Sequence, residues 1–196
     1  MTIIEIKNYT NSLRPYIVFS IFLFIGSILA GYFIAHNYAK ETEELLNEMK
    51  EMFLPAKEYS QLKIFMFIFE NNVTVLSMSL LFSIMAGISS LLVITANGII
   101  LGVFAVIILE NLSAEYFMAG ILPHGIFEIP ALILTSAVGF RIGAASLSKL
   151  FAGRSGLLSE IANGFRFFIL IIVPLIFIAA LTEAFVTPIF LSFFNE

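Results

Sequence analysis

Residues 16–35 read YIVFSIFLFIGSILAGYFIA, 20 residues without a charge. A helix of that length spans about 30 Å, the thickness of a bilayer's hydrocarbon core. Lipid offers no partner to a free N–H or C=O, so such a run crosses as a helix with its backbone bonded internally. A signal peptide is the competing reading, but a signal's apolar region has roughly 7–15 residues. The residues that follow (Asn37, Tyr38, Lys40, then Glu41) also lack a small-residue cleavage site. The run is expected to be a retained first crossing, from about Pro15 to Ala35. Pro15 would then sit in its first turn, where a missing N–H is no loss. Ser27 and Gly31, with Gly26 and Ala30 beside them, form a small-residue face suited to close helix packing.

The rest of the chain has the same character. It is 60% hydrophobic and 12% charged, with a mean hydropathy of +1.01, where soluble domains carry about 45–50% apolar and about 25% charged residues. A lipid-facing exterior accommodates the surplus, and the 22 phenylalanines suit it. The 14 acidic residues are all Glu, and there is no cysteine, which excludes disulfides, thiolate nucleophiles and thiolate metal sites. A net charge of −4 with scattered basic residues excludes a nucleic-acid footprint. The expected fold is an all-α polytopic transmembrane bundle of about five crossings, a single integral membrane domain over 1–196.

Residues 39–62 are the most polar stretch, and Leu45, Leu46, Met49, Met52 and Phe53 recur there at helical spacing between Glu and Lys. This pattern predicts an amphipathic helix lying in the interface and ended by Pro55. A second crossing is expected from Asn71–Asn72 to about Thr95, closed by a turn at Asn97–Gly98. The third run, Ile99 to Leu109, covers about 16 Å at helical rise. Glu110, Asn111, Ser113 and Glu115 interrupt it before Phe117–Leu122 resumes, so this crossing is expected to be short or broken. The fourth should run from Pro123 to about Gly143 and the fifth from about Phe165 to Phe185, kinked at Pro174. Arg141, Lys149, Arg154 and Arg166, with one acid, Glu160, lie between the apolar cores of the last two crossings. Positive residues stay on the cytoplasmic side, which puts the N-terminus inside and the C-terminus outside a plasma membrane.

Parity then places Glu70, Asn71, Asn72, Glu110, His124, Glu128 and Glu183 on one side of the bilayer. His124 and Glu128, at i and i+4, share a helix face. A carboxylate inside the membrane costs several kcal/mol unless paired, solvated or protonated, so it is a functional candidate by default. An imidazole within reach could hydrogen-bond it, shuttle a proton or join it in holding a cation. The bland alternative is that His124 bridges helices near the interface and Glu128 pins their packing. The ion, proton or polar-site candidates are His124, Glu128, Asn97, Glu110, Asn72, Glu183 and Arg141. Gly98, Gly102, Pro123, Gly125 and Pro130 are turn or packing candidates. The H-E-x-x-H zinc motif, the G-x-x-x-x-G-K phosphate loop and the G-x-G-x-x-G fingerprint are absent, and a Ser-His-Asp triad is impossible without Asp. No catalytic residue is assigned, no cofactor is called for, and the metal is left open; a three-ligand site would need Glu ligands or a second subunit.

The run Ala96-Asn97-Gly98-Ile99-Ile100-Leu101-Gly102, the block Leu122-Pro123-His124-Gly125-Ile126-Phe127-Glu128-Ile129-Pro130-Ala131 and the stretch Gly139 to Gly143 resemble the stage II sporulation protein M family. The resemblance covers roughly residues 60–190, and LPHGIFEIPA is its specific part. It implies a multi-pass membrane protein of about five spans. The family's name-giving member belongs to a membrane complex that degrades septal peptidoglycan during engulfment, anchoring partners that do the hydrolysis. The expectation is a membrane scaffold or a small transport component with a buried polar site around His124 and Glu128. The alternative is an intramembrane metal- or carboxylate-dependent hydrolase. The expected partners are the lipid bilayer and a homodimeric or larger membrane complex.

Overall fold

A computed structural model describes residues 1–38, 40, 42, 44 and 59–194. Five helices long and apolar enough to cross a membrane account for nearly all of them: α1 (Ile3–Asn37), α2 (Gln61–Phe82), α3 (Ile88–Asn111), α4 (Ala114–Ala152) and α5 (Leu157–Ser192). The chain is an all-α multi-pass integral membrane protein. The interfacial helix expected between the first two crossings falls largely outside the described residues. Successive helices alternate in direction. α1 and α5 begin, and α2 and α4 end, at what is termed the proximal end; α3 runs from that end to the distal one.

Among the described residues the crossings number five as expected, but several boundaries differ. α1 begins earlier, on a capping box in which the Thr2 side chain accepts from the Glu5 N–H and Glu5 accepts from the Thr2 N–H, so Pro15 lies inside the helix. The second crossing breaks at Ser83–Gly87 rather than at Asn97–Gly98. Ala86 (φ 56°) and Gly87 (φ 78°) carry the chain through left-handed conformations there. Asn97 and Gly98 are continuous helix within α3. The third crossing is neither short nor broken: α3 has 24 residues, about 36 Å at helical rise. The polar residues at 110–115 mark its end and the Ser113 cap of α4, whose side chain accepts from the Tyr116 N–H. α4 therefore starts at Ala114 instead of Pro123. α5 extends from Leu157 to Ser192, with a π-helical turn at Phe168–Ile172 immediately before Pro174. The wider turn accommodates the proline ring and its missing donor.

Close backbone approach organises the bundle. A Cβ on Gly31 would collide with the Ile99 carbonyl oxygen, one on Gly102 with the Ile28 carbonyl oxygen, and one on Gly98 would lie 2.6 Å from the Ser27 Cβ. The small face of α1 is thus pressed onto Gly98-x-x-x-Gly102 of α3, the geometry by which membrane helices gain dispersion contacts that lipid cannot match. The α2–α3 corner is received by α4 in the same way. A Cβ on Gly143 would strike the Gly87 backbone, and one on Gly139 the Ser83 and Ser90 hydroxyls. Ser83 and Ser90 bond each other at 2.9 Å, and the Ser83 and Ser89 hydroxyls both donate to the Ser79 carbonyl at 2.7 Å. Those bonds satisfy polar groups in a dry corner. Leu13, Ile94, Val138, Ile142, Ile172 and Ile176 fill the interior between these contacts.

At the proximal end the Tyr9 hydroxyl donates to Glu160 Oε1 at 2.8 Å, and Arg141 Nε pairs with the same oxygen at 2.6 Å while its guanidinium also bonds Ser12. One carboxylate thereby ties α1, α4 and α5 together. Gly102→Leu is expected to destabilise the bundle by about 1–3 kcal/mol through forced separation of α1 and α3. Gly26→Leu, whose side chain would enter open space, should leave stability unchanged; thermal unfolding in detergent compares the two.

Candidate functional site

The distal half of α4 carries the sequence LPHGIFE within a continuous helix, although Pro123 and Pro130 both lie inside it. Helical spacing turns His124 and Glu128 to one side, with His124 Nε2 3.9 Å from Glu128 Oε2. That is too long for a hydrogen bond and short enough for both atoms to meet one small ion. Gly125 is buried beside them; a Cβ there would sit 3.3 Å from Ile121 and 3.6 Å from Ile129. Because α4 begins at Ala114, Glu128 lies about 21 Å from the distal tip of its helix. It is deeper than a fourth crossing starting at Pro123 would put it.

α5 supplies the third group. Its second π-helical turn, Thr182–Val186, contains Glu183. Such a turn inserts one extra residue per turn and re-aims the side chains that follow. Here it brings Glu183 to α4: one ligand atom each from His124, Glu128 and Glu183 lie within 4.8 Å of one another. The Thr182 carbonyl accepts from the Thr187 N–H across the wide turn and also from the Thr187 hydroxyl at 3.3 Å. The same Thr187 oxygen lies 3.5 Å from His124 Nδ1. In the tautomer protonated at Nδ1, this oxygen can accept from Nδ1–H and the Nε2 lone pair is turned toward Glu128. All three ionisable side chains are half-buried.

Two cavities meet at Glu128. The first, about 150 Å³, is lined by His124, Gly125, Glu128 and Asn97 with Phe24 and Leu132 among its walls. The second, about 30 Å³, is lined by Asn72, Asn97, Glu128 and Ile176. Asn97 donates to the Val93 carbonyl at 2.8 Å, which leaves its own amide oxygen available to these spaces. Asn97 thus lines both spaces, and Asn72 the smaller one, together with Glu128. A third space, an apolar groove of about 720 Å³, opens between distal α4 and α5, with Pro123 and Thr182, the chain neighbours of His124 and Glu183, in its wall.

Other candidates fall elsewhere. Glu110 is exposed at the distal end of α3 and lines neither of the Glu128 cavities. Arg141 belongs to the proximal Tyr9–Glu160 clamp, most of a bilayer away, because α4 carries it about 20 Å beyond Glu128. Gly98 and Gly102 are packing residues of the α1–α3 seam, and Pro130 is exposed on α4. Sequence reasoning missed Thr187, whose hydroxyl oxygen is the α5 group beside His124 Nδ1. No local pattern in the sequence signals the π-turn that places it.

Comparison with known proteins gives a consistent picture. The profile of the Stage II sporulation protein M family matches residues 20–188. The uncharacterized protein MJ0793 of Methanocaldococcus jannaschii is 31% identical over 174 residues, covering 88% of this chain and 93% of that one. The uncharacterized protein MJ0706 of the same organism is 32% identical over 161 residues, covering 80% of this chain and 67% of its own length. No solved structure matches significantly. The matched span takes in the α1–α3 seam, the LPHGIFE segment and the π-turn of α5, and on that ground the chain belongs to the stage II sporulation protein M family.

Proposed function

We propose that the chain is a small transport component of the plasma membrane, one membrane domain that takes up a proton or cation at His124, Glu128 and Glu183. The single observation that carries this reading is the convergence of two carboxylates and an imidazole within 4.8 Å at the meeting of α4 and α5. Placing two carboxylates so close in apolar surroundings is unfavourable unless positive charge accompanies them. A proton shared between them, an imidazolium or a bound ion would each supply it. The two cavities, both lined by Glu128, extend its polar surroundings to Asn97 of α3 and Asn72 of α2.

The scaffold alternative rests on the family resemblance and on small-residue faces that could dock a partner. Ser27, Gly31, Gly98 and Gly102 instead pack against one another inside the bundle. The transport reading needs no such exposed face. Orientation follows the basic residues: the proximal end, with Arg141, Lys149, Arg154 and Arg166, faces the cytoplasm, and the cluster is approached from outside.

In liposomes carrying the purified protein and a pH-sensitive dye, the wild-type chain should pass protons or a divalent cation faster than protein-free vesicles. Glu128→Gln should fall to the protein-free rate, and Glu44→Gln should not; equal rates for wild type and empty vesicles would end this reading. The natural absence of cysteine makes single-cysteine variants clean reporters. Asn97→Cys should react with a water-soluble maleimide, while the buried Ser136→Cys should not. In intact cells Leu112→Cys should label from outside and Ser155→Cys only after permeabilisation; the reverse pattern would invert the orientation.

A further inference from the structure

We infer that the cluster is a site for a divalent first-row transition-metal ion, held by His124 Nε2, Glu128 and Glu183, with Thr187 as the residue that positions the imidazole. The inference rests on the transport reading and names the class of its cargo.

Four features favour a metal over a shared proton. Donor type is the first: one borderline nitrogen and two hard oxygens match ions of the zinc, manganese or cobalt kind, whereas magnesium and calcium prefer oxygen alone. Separation is the second. Zinc–nitrogen and zinc–oxygen bonds of about 2.0–2.2 Å put neighbouring ligand atoms roughly 3.4 Å apart around a tetrahedral ion. Here the imidazole nitrogen and the Glu128 oxygen stand 3.9 Å apart, and all three donors lie within 4.8 Å.

The third feature is the outer contact. Metal-binding histidines commonly donate their second ring N–H to an oxygen that fixes tautomer and ring plane. Thr187 Oγ1, 3.5 Å from Nδ1 and itself anchored on the Thr182 carbonyl, is placed for that role and leaves Nε2 free to ligate. The fourth is room. The cavity of about 150 Å³ lined by His124 and Glu128 can hold the waters that would complete a three-protein-ligand site. Three protein ligands with water in the remaining positions make a site that can load and release, unlike the closed four-ligand cage of a structural metal.

The test uses the full chain purified in detergent, stripped with chelator and dialysed against Zn²⁺, with Co²⁺ as a spectroscopic probe. About one metal per chain is expected, with visible Co²⁺ bands of a nitrogen–oxygen ligand set. His124→Gln and Glu183→Gln should lose both, while His36→Gln, at the other histidine of the chain, should keep them. Thr187→Ala preserves all three ligands and is mild enough to fold. It should weaken the metal by about 10–100-fold, whereas a Thr187 that merely packs would leave affinity unchanged. Failure of wild type to bind Zn²⁺ or Co²⁺ more tightly than His124→Gln would overturn the metal assignment. If Glu128→Gln nevertheless abolished proton flux, the transport reading would stand with a proton as its cargo. Metal bound with unchanged affinity in Thr187→Ala would remove Thr187 from the site.

Discussion

The close approach of α1 to α3 is the contact on which the other positions depend. In a bilayer, apolar side chains gain little by leaving lipid for protein, so helices hold together where backbones can come near and dispersion contacts multiply. Gly31, Gly98 and Gly102 permit that nearness, and Ser27 fills the remaining space. With the seam closed, Phe24 of α1 and Asn97 of α3 face the same cavity as His124 and Glu128. The packing that stabilises the fold therefore also builds the wall opposite the ionisable cluster.

A second glycine pair governs the depth of α4. Gly139 and Gly143 let the α2–α3 corner nest against that helix, and the serines at the corner meet one another's hydrogen-bonding needs. The Arg141–Glu160–Tyr9 clamp then sets α4 against α1 and α5 at the proximal end. Two fixed points leave α4 little freedom to slide, so Glu128 is held about 21 Å along its helix from the distal tip. The same arrangement separates the molecule's charges: the proximal end uses its carboxylate for structure, in a complete pair, whereas the distal carboxylates face an imidazole, a threonine and cavities without a basic partner among the described residues. That contrast in pairing is the physical ground for reading one end as architecture and the other as chemistry.

Local irregularity in α5 links architecture to chemistry. A regular α-helix from Leu157 to Ser192 would carry Pro174 with an unsatisfied carbonyl and would aim Glu183 differently. The π-turns at Phe168–Ile172 and Thr182–Val186 resolve the first problem and bring Glu183 to α4. The Thr187 hydroxyl donates to the Thr182 carbonyl and lies 3.5 Å from the imidazole Nδ1. A strained or irregular turn at a polar site within an otherwise regular helix is where function is commonly found.

Read without coordinates, the chain already determined its solvent, its number of crossings and the shared face of His124 and Glu128. Each follows from local quantities: apolar run length against bilayer thickness, and the helical period. The polar-site candidates Asn72 and Glu183 followed from parity, because residues an even number of crossings apart return to the same side, whereas Asn97 came from the family resemblance. The corner at Ala86–Gly87 was not legible, since Asn97–Gly98 carries the stronger turn signal in water. In lipid an asparagine can bond its own helix, as Asn97 does to Val93, and a glycine can serve packing. Misplacing that corner made the third crossing look short and left Glu128 too near the surface. Only the tertiary structure decided that Arg141 belongs to Glu160 and that Glu183 reaches His124. Both outcomes depend on the relative sliding of helices and on a π-turn, which are settled by contacts between residues distant in sequence.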